Sequence, residues 1–289
     1  LRFKGRGWFK TINYNQSGFS LENNKLSLSK IGNIRIKVHR EVNGNIKQIQ
    51  IKKEIDRWYA IIITDDKKQT ICGSKIIGID LGINNYLVDS DGRKIENPKI
   101  LGQNLQKLKH LQKDLSRKKK GSSNRKKARI RLQKLHLKIT NQRTDFLHKL
   151  TTKLVRECKI IIMEDLDIKQ MSQQKYFNAK NMMDASWGKF AQLLDFKAES
   201  AGCQIVKVDP RNTSKTCSQC GSIQDMPLYK RTYECAKCGF VIDRDYNSAI
   251  NILNKFSGSE RTCVERISST PLEQEISVKQ EALTSTHVR

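Results

Sequence analysis

An apolar segment that ends abruptly on an acidic residue occurs at three distant places in this sequence. The first segment ends on Asp80, the second ends on Glu164, and the third is followed by Asp243 and Asp245. Apolar runs of this length are typical of buried strands. A buried carboxylate is costly unless it is paired or binds a metal ion. The sequence therefore predicts a fold that gathers these acids around divalent cations.

The charge of the chain points to a polyanionic partner. Its 289 residues include 55 Lys and Arg against 29 Asp and Glu, a formal charge of +26. Nucleic acid is the first candidate partner for so basic a protein, and a membrane surface is the second. No apolar run reaches the roughly 18 residues of a spanning helix, and the basic N-terminus does not resemble a signal peptide. We therefore expect a cytoplasmic protein with no membrane partner.

Residues 1–70 have the composition of short strands separated by Gly and Asn turns. Segments rich in β-formers occur at residues 19–21, 25–29, 34–39, 46–52 and 58–63. Such a series predicts a small or partial β-barrel.

Residues 71–212 alternate between strand and helix patterns. Strands at 76–80, 86–90 and 94–97 would form the antiparallel opening of an RNase H-like sheet, and apolar strands at 159–163 and 205–209 would extend it in parallel. A polar loop is expected at 170–183, followed by a helix with Ser186 as its N-cap and Gly202 after its last turn. The predicted fold class is α/β with a mixed sheet.

A basic helical pair is predicted within this region, at about 101–156. Residues 105–150 contain 16 Lys and Arg but only two acids, Asp114 and Asp145. A helix face that only contacts solvent usually carries both acidic and basic residues, which form i,i+4 ion pairs. We therefore favour nucleic-acid contact over a charged face that is merely solvated. The candidate contact residues are Lys118, Lys119, Lys120, Arg125, Lys126, Lys127, Arg129 and Arg131.

Two C-x-x-C pairs predict a structural zinc site in residues 213–240. Their cysteines are Cys217, Cys220, Cys235 and Cys238, and a Gly follows each pair. Four thiolates on two tight turns suit tetrahedral Zn²⁺ and leave no open position for substrate. The alternative is a ribbon that has lost its metal and keeps only thiols. Zinc binding fits a reducing compartment better than disulfides would.

The strand-end acids predict a second metal site. Two-metal phosphodiester cleavage needs several carboxylates around two cations about 4 Å apart. We expect Asp80, Glu164 and Asp245 to bind Mg²⁺ there, although each acid taken singly could be a capping or turn residue. Asp243 would be a neighbouring support or helix cap, and Asn247 would orient Asp245 or bind the water shell of the metal.

The motifs around these residues resemble one known family. Gly78 to Gly82, Met163 to Leu166, the paired C-x-x-C ribbon and Asp243 to Ala249 together resemble the TnpB proteins of bacterial insertion sequences, relatives of the type V CRISPR effectors. The resemblance runs from about residue 20 to about residue 256.

The resemblance implies an RNA-guided DNA endonuclease with a split RuvC nuclease site. Its partners would be a guide RNA from the mobile element and target DNA, and its cofactors would be Zn²⁺ and Mg²⁺. Asp80, Glu164 and Asp245 would be the catalytic acids. The chain would be N-terminally truncated, because the start of the family's wedge barrel and its helical recognition lobe would precede Leu1.

The domain organisation that the resemblance implies has five parts. They are part of a wedge-type barrel (1–70), the first part of the RuvC-like nuclease with its helical insert (71–212), the zinc ribbon (213–240), the last RuvC segment (241–256) and a disordered tail (257–289).

Three other readings remain open at this level. The chain could be a regulator that binds DNA without catalysis, or an inactive fragment of a mobile element. A strand-transferring transposase is disfavoured because the sequence contains no His-x-His motif and carries the ribbon insert. The oligomeric state is not encoded in any recognisable motif.

Overall fold

The computed structural model describes residues 11–65, 71–168, 171, 179–227, 229–259 and 284–288. These residues form two compact units. The first unit contains residues 11–65, Leu111–Leu135 and 284–288, and the second contains 71–110 and 136–259. The chain is a mixed α/β protein with these elements: β1 (Thr11–Asn15), β2 (Phe19–Glu22), β3 (Lys25–Leu28), β4 (Gly32–Arg35), β5 (Ile46–Glu54), β6 (Arg57–Thr64), β7 (Lys75–Leu81), β8 (Asn85–Asp89), β9 (Lys94–Glu96), α1 (Ile100–Arg117), α2 (Ser123–Glu157), β10 (Cys158–Glu164), α3 (Ala179–Ala185), α4 (Trp187–Ala201), β11 (Gln204–Val208), β12 (Thr232–Glu234), β13 (Val241–Asp243), α5 (Arg244–Ser259) and β14 (Thr284–Val288).

The first unit is built from two antiparallel sheets. One has the strand order β1-β5-β6-β14, and the other has the order β2-β3-β4. They share an apolar core that includes Leu26, Ile49 and Ile62, all buried. The predicted strands are present here. The sequence pattern missed β1, whose β-forming residues are interrupted by asparagines. Closure of these strands into a wedge-type barrel stays a prediction.

The predicted basic helices are α1 and α2, separated by a turn of residues 118–122. Among the described residues, no helix combines the length and the apolarity needed to cross a bilayer.

The second unit contains a five-stranded mixed sheet with the order β11-β10-β7-β8-β9. β10 pairs in parallel with both β7 and β11, whereas β7, β8 and β9 pair antiparallel. One face of the sheet packs against α2 and α4 through residues such as Ile161, Leu154 and Phe190. The other face packs against α5, where Ile162 meets Ile252. Helices therefore cover the sheet on both sides, which is why β10 is continuously apolar from Ile160 to Met163.

Two local predictions in this unit need correction. The polar loop expected at 170–183 contains the helix α3, which begins at Ala179, and residues 172–178 lie outside the described part. Ser186 precedes α4 but does not cap it through its side chain. Its backbone is left-handed, and its hydroxyl donates a hydrogen bond backwards to the carbonyl of Met183. Gly202 ends the helix as predicted, with its backbone N–H donating to Ala198.

The tail predicted at 257–289 falls mostly outside the described residues. At its start, α5 continues to Ser259, and near its end β14 pairs with β6. The disorder predicted between these two elements is not tested by the described residues.

A glycine sets the distance between α5 and the sheet. A Cβ atom placed on Gly78 of β7 would lie 2.4 Å from the carbonyl oxygen of Ala249 and 2.7 Å from the backbone nitrogen of Leu253. Both neighbours are helix backbone and cannot rotate away as a side chain could. The absence of a side chain at this position thus lets α5 lie directly on β7.

We expect Gly78→Ala to lower the free energy of unfolding by about 1–3 kcal/mol, the usual cost of overpacking. The cost arises because α5 must move away from β7 to make room for the methyl group. Chemical denaturation of the purified chain measures it. Gly102→Ala on α1 is the matched control, since the nearest atom to its added Cβ is 3.9 Å away. A Gly78→Ala chain as stable as the parent would contradict the close approach.

Candidate metal centres

The register between β7 and β10 places two of the predicted acids side by side. Ile162 is paired with Gly78 and Met163 with Ile79, so Glu164 and Asp80 occupy the next step of the same ladder. Side chains alternate along a strand, and Asp80 therefore lies on the same sheet face as Gly78. That is the face that α5 covers.

The third acid, Asp245, lies near Asp80 and Glu164 and is carried by α5. Asp245 is in the first turn of α5, one turn before Ala249, which lies over Gly78. Asp80, Glu164 and Asp245 all line one cavity of about 420 Å³. The structure thus brings together three acids that are far apart in sequence.

Each of these three carboxyl groups has a pKa above its ordinary value. Burial is the first cause for Asp80, followed by the charges of Glu164 and Asp245, and its pKa lies well above the usual range. Burial also raises the pKa of Glu164, against the hydrogen bond that Thr213 donates to it. Burial and the nearby Asp243 raise the pKa of Asp245. The cavity therefore concentrates negative charge that the surrounding protein does not neutralise.

The arrangement fits divalent cations in its donor chemistry. Carboxylate oxygens are the ligands that Mg²⁺ prefers. Several carboxylates on one cavity are what a centre of two cations about 4 Å apart requires.

Two arginines also line the cavity. The Arg231 guanidinium lies 3.8 Å from the carboxylate of Asp245, and Arg244 donates a hydrogen bond to the carbonyl of Pro227. Both partially offset the charge of the acids. Arg231 belongs to the ribbon, and nothing in the cysteine motif indicates that its side chain lies near Asp245.

Asp243 is the N-cap of α5. Its Oδ1 accepts hydrogen bonds from the backbone N–H groups of Asp245 and Tyr246, and its Oδ2 lies 2.6 Å from the Lys94 ammonium. Burial acts to raise its pKa, but the hydrogen bond from Lys94 is among the contacts that hold the pKa of Asp243 below its ordinary value. This acid stays ionised and fixes the start of the helix that carries Asp245.

The hydrogen bonds of Asn247 go to the ribbon, and its predicted role towards Asp245 or the water shell of a metal stays a prediction. Its side chain is fully buried. It accepts a hydrogen bond from the N–H of Ser218 and donates one to the carbonyl of Thr216. Both the oxygen and the nitrogen of this amide are therefore hydrogen-bonded to the ribbon backbone, a partner that the local motif could not reveal.

Asn247 is the first member of a polar row on α5. Asn251, four residues on, donates to the carbonyls of Thr213 and Thr216. Lys255, four residues further, donates to the carbonyls of Asp209 and Arg211. We call Asn247, Asn251 and Lys255 the polar row; it holds the backbone of residues 209–218 along the helix. Its i, i+4, i+8 spacing is the signal that sequence reasoning missed.

The four ribbon cysteines form a compact cluster. Their sulfur atoms all lie within 4.8 Å of one another, with Cys217 and Cys238 at 3.7 Å and Cys220 and Cys235 at 3.6 Å. Tetrahedral zinc with Zn–S bonds of about 2.3 Å requires sulfurs about 3.8 Å apart. Backbone N–H groups of Cys238 and Lys237 help lower the pKa of Cys235 to about 6. The cluster can bind a metal ion such as zinc.

Other cysteines lie outside this cluster. Cys158 and Cys203 are buried in the core of the second unit. Burial and their thiol neighbours raise the pKa of Cys158 to about 12 and that of Cys203 to about 11. Both are therefore protonated near neutral pH.

The basic residues predicted to contact nucleic acid are not equivalent. Arg125 turns inward, and its Nη1 donates to the carbonyls of Leu115 and Lys118 at the end of α1. Lys118 lies 2.9 Å from Asp114. The remaining six residues are exposed, namely Lys119, Lys120, Lys126, Lys127, Arg129 and Arg131.

We expect Cys220→Ser to reduce bound zinc from about one ion per chain to well below one, because three thiolates hold the ion less well than four. Metal analysis of the purified chain measures this, and hydrogen exchange should show loss of protection across residues 213–240. Cys72→Ser, outside the cluster, should keep its zinc. Full zinc content in Cys220→Ser would show that the cluster does not hold the metal.

The raised pKa values predict a pH-dependent stability without Mg²⁺. A carboxyl group whose folded pKa exceeds its unfolded value of about 4 destabilises the fold as pH rises from that value through the folded pKa. Asp80→Asn should therefore raise Tm at pH 7 in Mg²⁺-free buffer, by roughly 2–4 °C per kcal/mol relieved. The gain should shrink as pH falls towards about 4. A gain that is independent of pH would contradict this electrostatic origin.

Two family models match the sequence. One, described as "Probable transposase", matches residues 51–175, and a second, described as "Cas12f1-like, TNB domain", matches residues 187–252. Together they include the three cavity acids and the four ribbon cysteines.

Curated relatives and a solved structure agree with these models. A candidate RNA-guided DNA endonuclease of Streptomyces pristinaespiralis is 35% identical, over 87% of this chain and 64% of that protein. InsQ of Escherichia coli strain K12, also a candidate RNA-guided DNA endonuclease, is 32% identical over 95% of this chain and 73% of InsQ. The chain thus spans about two thirds to three quarters of these relatives.

The fold is shared with a Cas12f1 chain solved by cryo-EM in a complex with sgRNA and target DNA. The TM-score is 0.52 at 22% identity, over 73% of this chain and 46% of that chain. The motifs, the two family models and the similarity across most of InsQ lead to one assignment: this chain belongs to the TnpB family.

Proposed function

We propose that this chain carries the nuclease portion of a transposon-associated, RNA-guided DNA endonuclease that hydrolyses phosphodiester bonds at a RuvC-like site. The observation that supports it most directly is the convergence of Asp80, Glu164 and Asp245 on one cavity. Relatives named as RNA-guided DNA endonucleases support the choice of substrate and guide. The retained acids favour this reading over a regulator without catalysis.

The three acids would hold two Mg²⁺ ions. Bound there, the ions would supply an activated water and stabilise the leaving oxygen. Asp80 and Glu164 present carboxylates from adjacent strand ends, and Asp245 faces them from α5. The raised pKa values indicate that the protein leaves this charge for cations to neutralise.

The arginines of the cavity would bind the substrate. Arg231 is more than half exposed and only loosely paired with Asp245, so its guanidinium can donate to a phosphate at the mouth of the cavity. Asp243 would support the site by fixing the start of α5 and by engaging Lys94.

The basic residues of the α1–α2 turn would grip the backbone of nucleic acid. Lys119, Lys120, Lys126, Lys127, Arg129 and Arg131 are the members of the predicted set with exposed side chains. Arg125 would instead hold the turn in shape through its two backbone hydrogen bonds. Binding of this kind contacts the phosphates rather than the bases, and its affinity falls as the salt concentration rises.

The zinc ribbon would serve as a folded insert between two parts of the nuclease. We propose the order of a partial wedge-type barrel (1–70), nuclease sequence (71–212), ribbon (213–240), the last nuclease segment (241–256) and a tail. The tight cysteine cluster supports the ribbon, and the mixed sheet that bears Asp80 and Glu164 supports the nuclease assignment.

Cleavage of DNA by the full-length protein with its co-purified RNA tests this function. We expect Mg²⁺-dependent cutting that falls by more than about 100-fold in Asp80→Ala, beyond the usual effect of outer-shell residues. Asp91→Asn is the control, since Asp91 lies in the β8–β9 turn and pairs with Lys75. Sequencing of the co-purified RNA should show a discrete transcript. Equal cutting by Asp80→Ala and the parent would remove the proposal.

A further inference from the structure

Thr213, the first residue of the ribbon, contacts one of the cavity acids. The Oγ1 of Thr213 lies 2.5 Å from Oε1 of Glu164 and 3.0 Å from the carbonyl oxygen of Pro210. Thr213 is buried, with only 3% of its surface exposed. A hydroxyl has one proton, and an ionised Glu164 is the stronger acceptor of the two. The hydroxyl therefore donates to Glu164 when the carboxylate is charged.

The backbone of Thr213 is itself fixed by α5. Its carbonyl accepts a hydrogen bond of 2.8 Å from Nδ2 of Asn251, the central member of the polar row. Asn247 and Lys255 hold the chain on either side, at Thr216 and at Asp209 and Arg211. Because α5 also carries Asp245, one helix determines where both Asp245 and the hydroxyl of Thr213 lie.

The hydrogen bond from Thr213 restricts the rotation of the Glu164 side chain more than packing alone would. A glutamate side chain has three rotatable bonds, and Glu164 stands at the end of β10 beside an open cavity. Without a partner, the carboxylate could turn towards solvent. The Thr213 hydroxyl holds Oε1 of a side chain that lines the cavity.

We propose that Thr213 is a positioning residue for Glu164, which orients its carboxylate towards the cations of the cavity. This inference rests on the proposed two-cation function. It assigns to the first residue of the ribbon a role in the nuclease site that is separate from zinc binding.

The proposal predicts a loss of cation affinity in a near-isosteric variant. Thr213→Val keeps the shape of the side chain and removes the donor. We expect it to weaken cation binding by about 10- to 100-fold, the range for outer-shell partners of metal ligands. Thr213→Ser keeps the hydroxyl and should retain most of the affinity. Zinc content should stay the same in both variants, which separates this effect from damage to the ribbon.

Binding of Tb³⁺ to the zinc-loaded full chain is a suitable measurement. Trp187 lines the cavity and can sensitise Tb³⁺ emission, and competition with Mg²⁺ then gives the Mg²⁺ affinity. The readout needs neither RNA nor cleavage.

A double-mutant cycle distinguishes positioning from general destabilisation. In a Glu164→Gln background, Thr213→Val should cause little further loss, because the partner carboxylate is already gone. Three results would overturn the inference. Thr213→Val could lower cation affinity as much in the Glu164→Gln background as in the parent, or it could leave the affinity of the parent unchanged. Thr213→Ser could also bind cations as weakly as Thr213→Val. If removal of the Asp80 carboxylate left cation binding by the chain unchanged, the proposed function itself would be contradicted, and this inference would fall with it.

Discussion

The contact between α5 and β7 at Gly78 is the constraint on which the second unit depends. Helix backbone lies so close to this strand that a single methyl group would collide with it. This contact brings the first turn of α5 above the ends of β7 and β10, where Asp80 and Glu164 lie. Three carboxylates then share one cavity, although their mutual repulsion opposes the arrangement. Packing of the apolar residues beneath α5 offsets that repulsion.

The same helix organises a second set of contacts along its length. Its apolar residues pack on the sheet, while the polar row faces the chain that leads into the ribbon. Buried amides such as Asn247 are stabilising only when their hydrogen bonds are satisfied, and here backbone groups satisfy them. One amphipathic helix therefore connects the carboxylate cavity to the cysteine cluster without any direct contact between the metal ligands of the two sites.

Much of this arrangement could be predicted from sequence, because short-range patterns encode it. Apolar runs that end on Asp80 and Glu164 identify the strands, and the spacing of the cysteines identifies the ribbon. The partners of polar side chains could not be predicted in this way. Asn247 binds the ribbon backbone, and Arg125 donates to the backbone at the end of α1 rather than facing solvent. Such choices depend on which backbone groups the tertiary fold leaves unsatisfied, and no local motif records them.

Because the cysteines differ in burial, their rates of alkylation report on the state of the folded chain. Alkylating reagents attack the thiolate, so Cys158 and Cys203 are inert in the folded protein near neutral pH. The ribbon, by contrast, has Cys220 and Cys238 exposed beside a buried Cys235 whose pKa is lowered to about 6. The order in which these sulfurs acquire a label therefore distinguishes departure of the metal from collapse of the surrounding core, two events that look alike in a thermal melt.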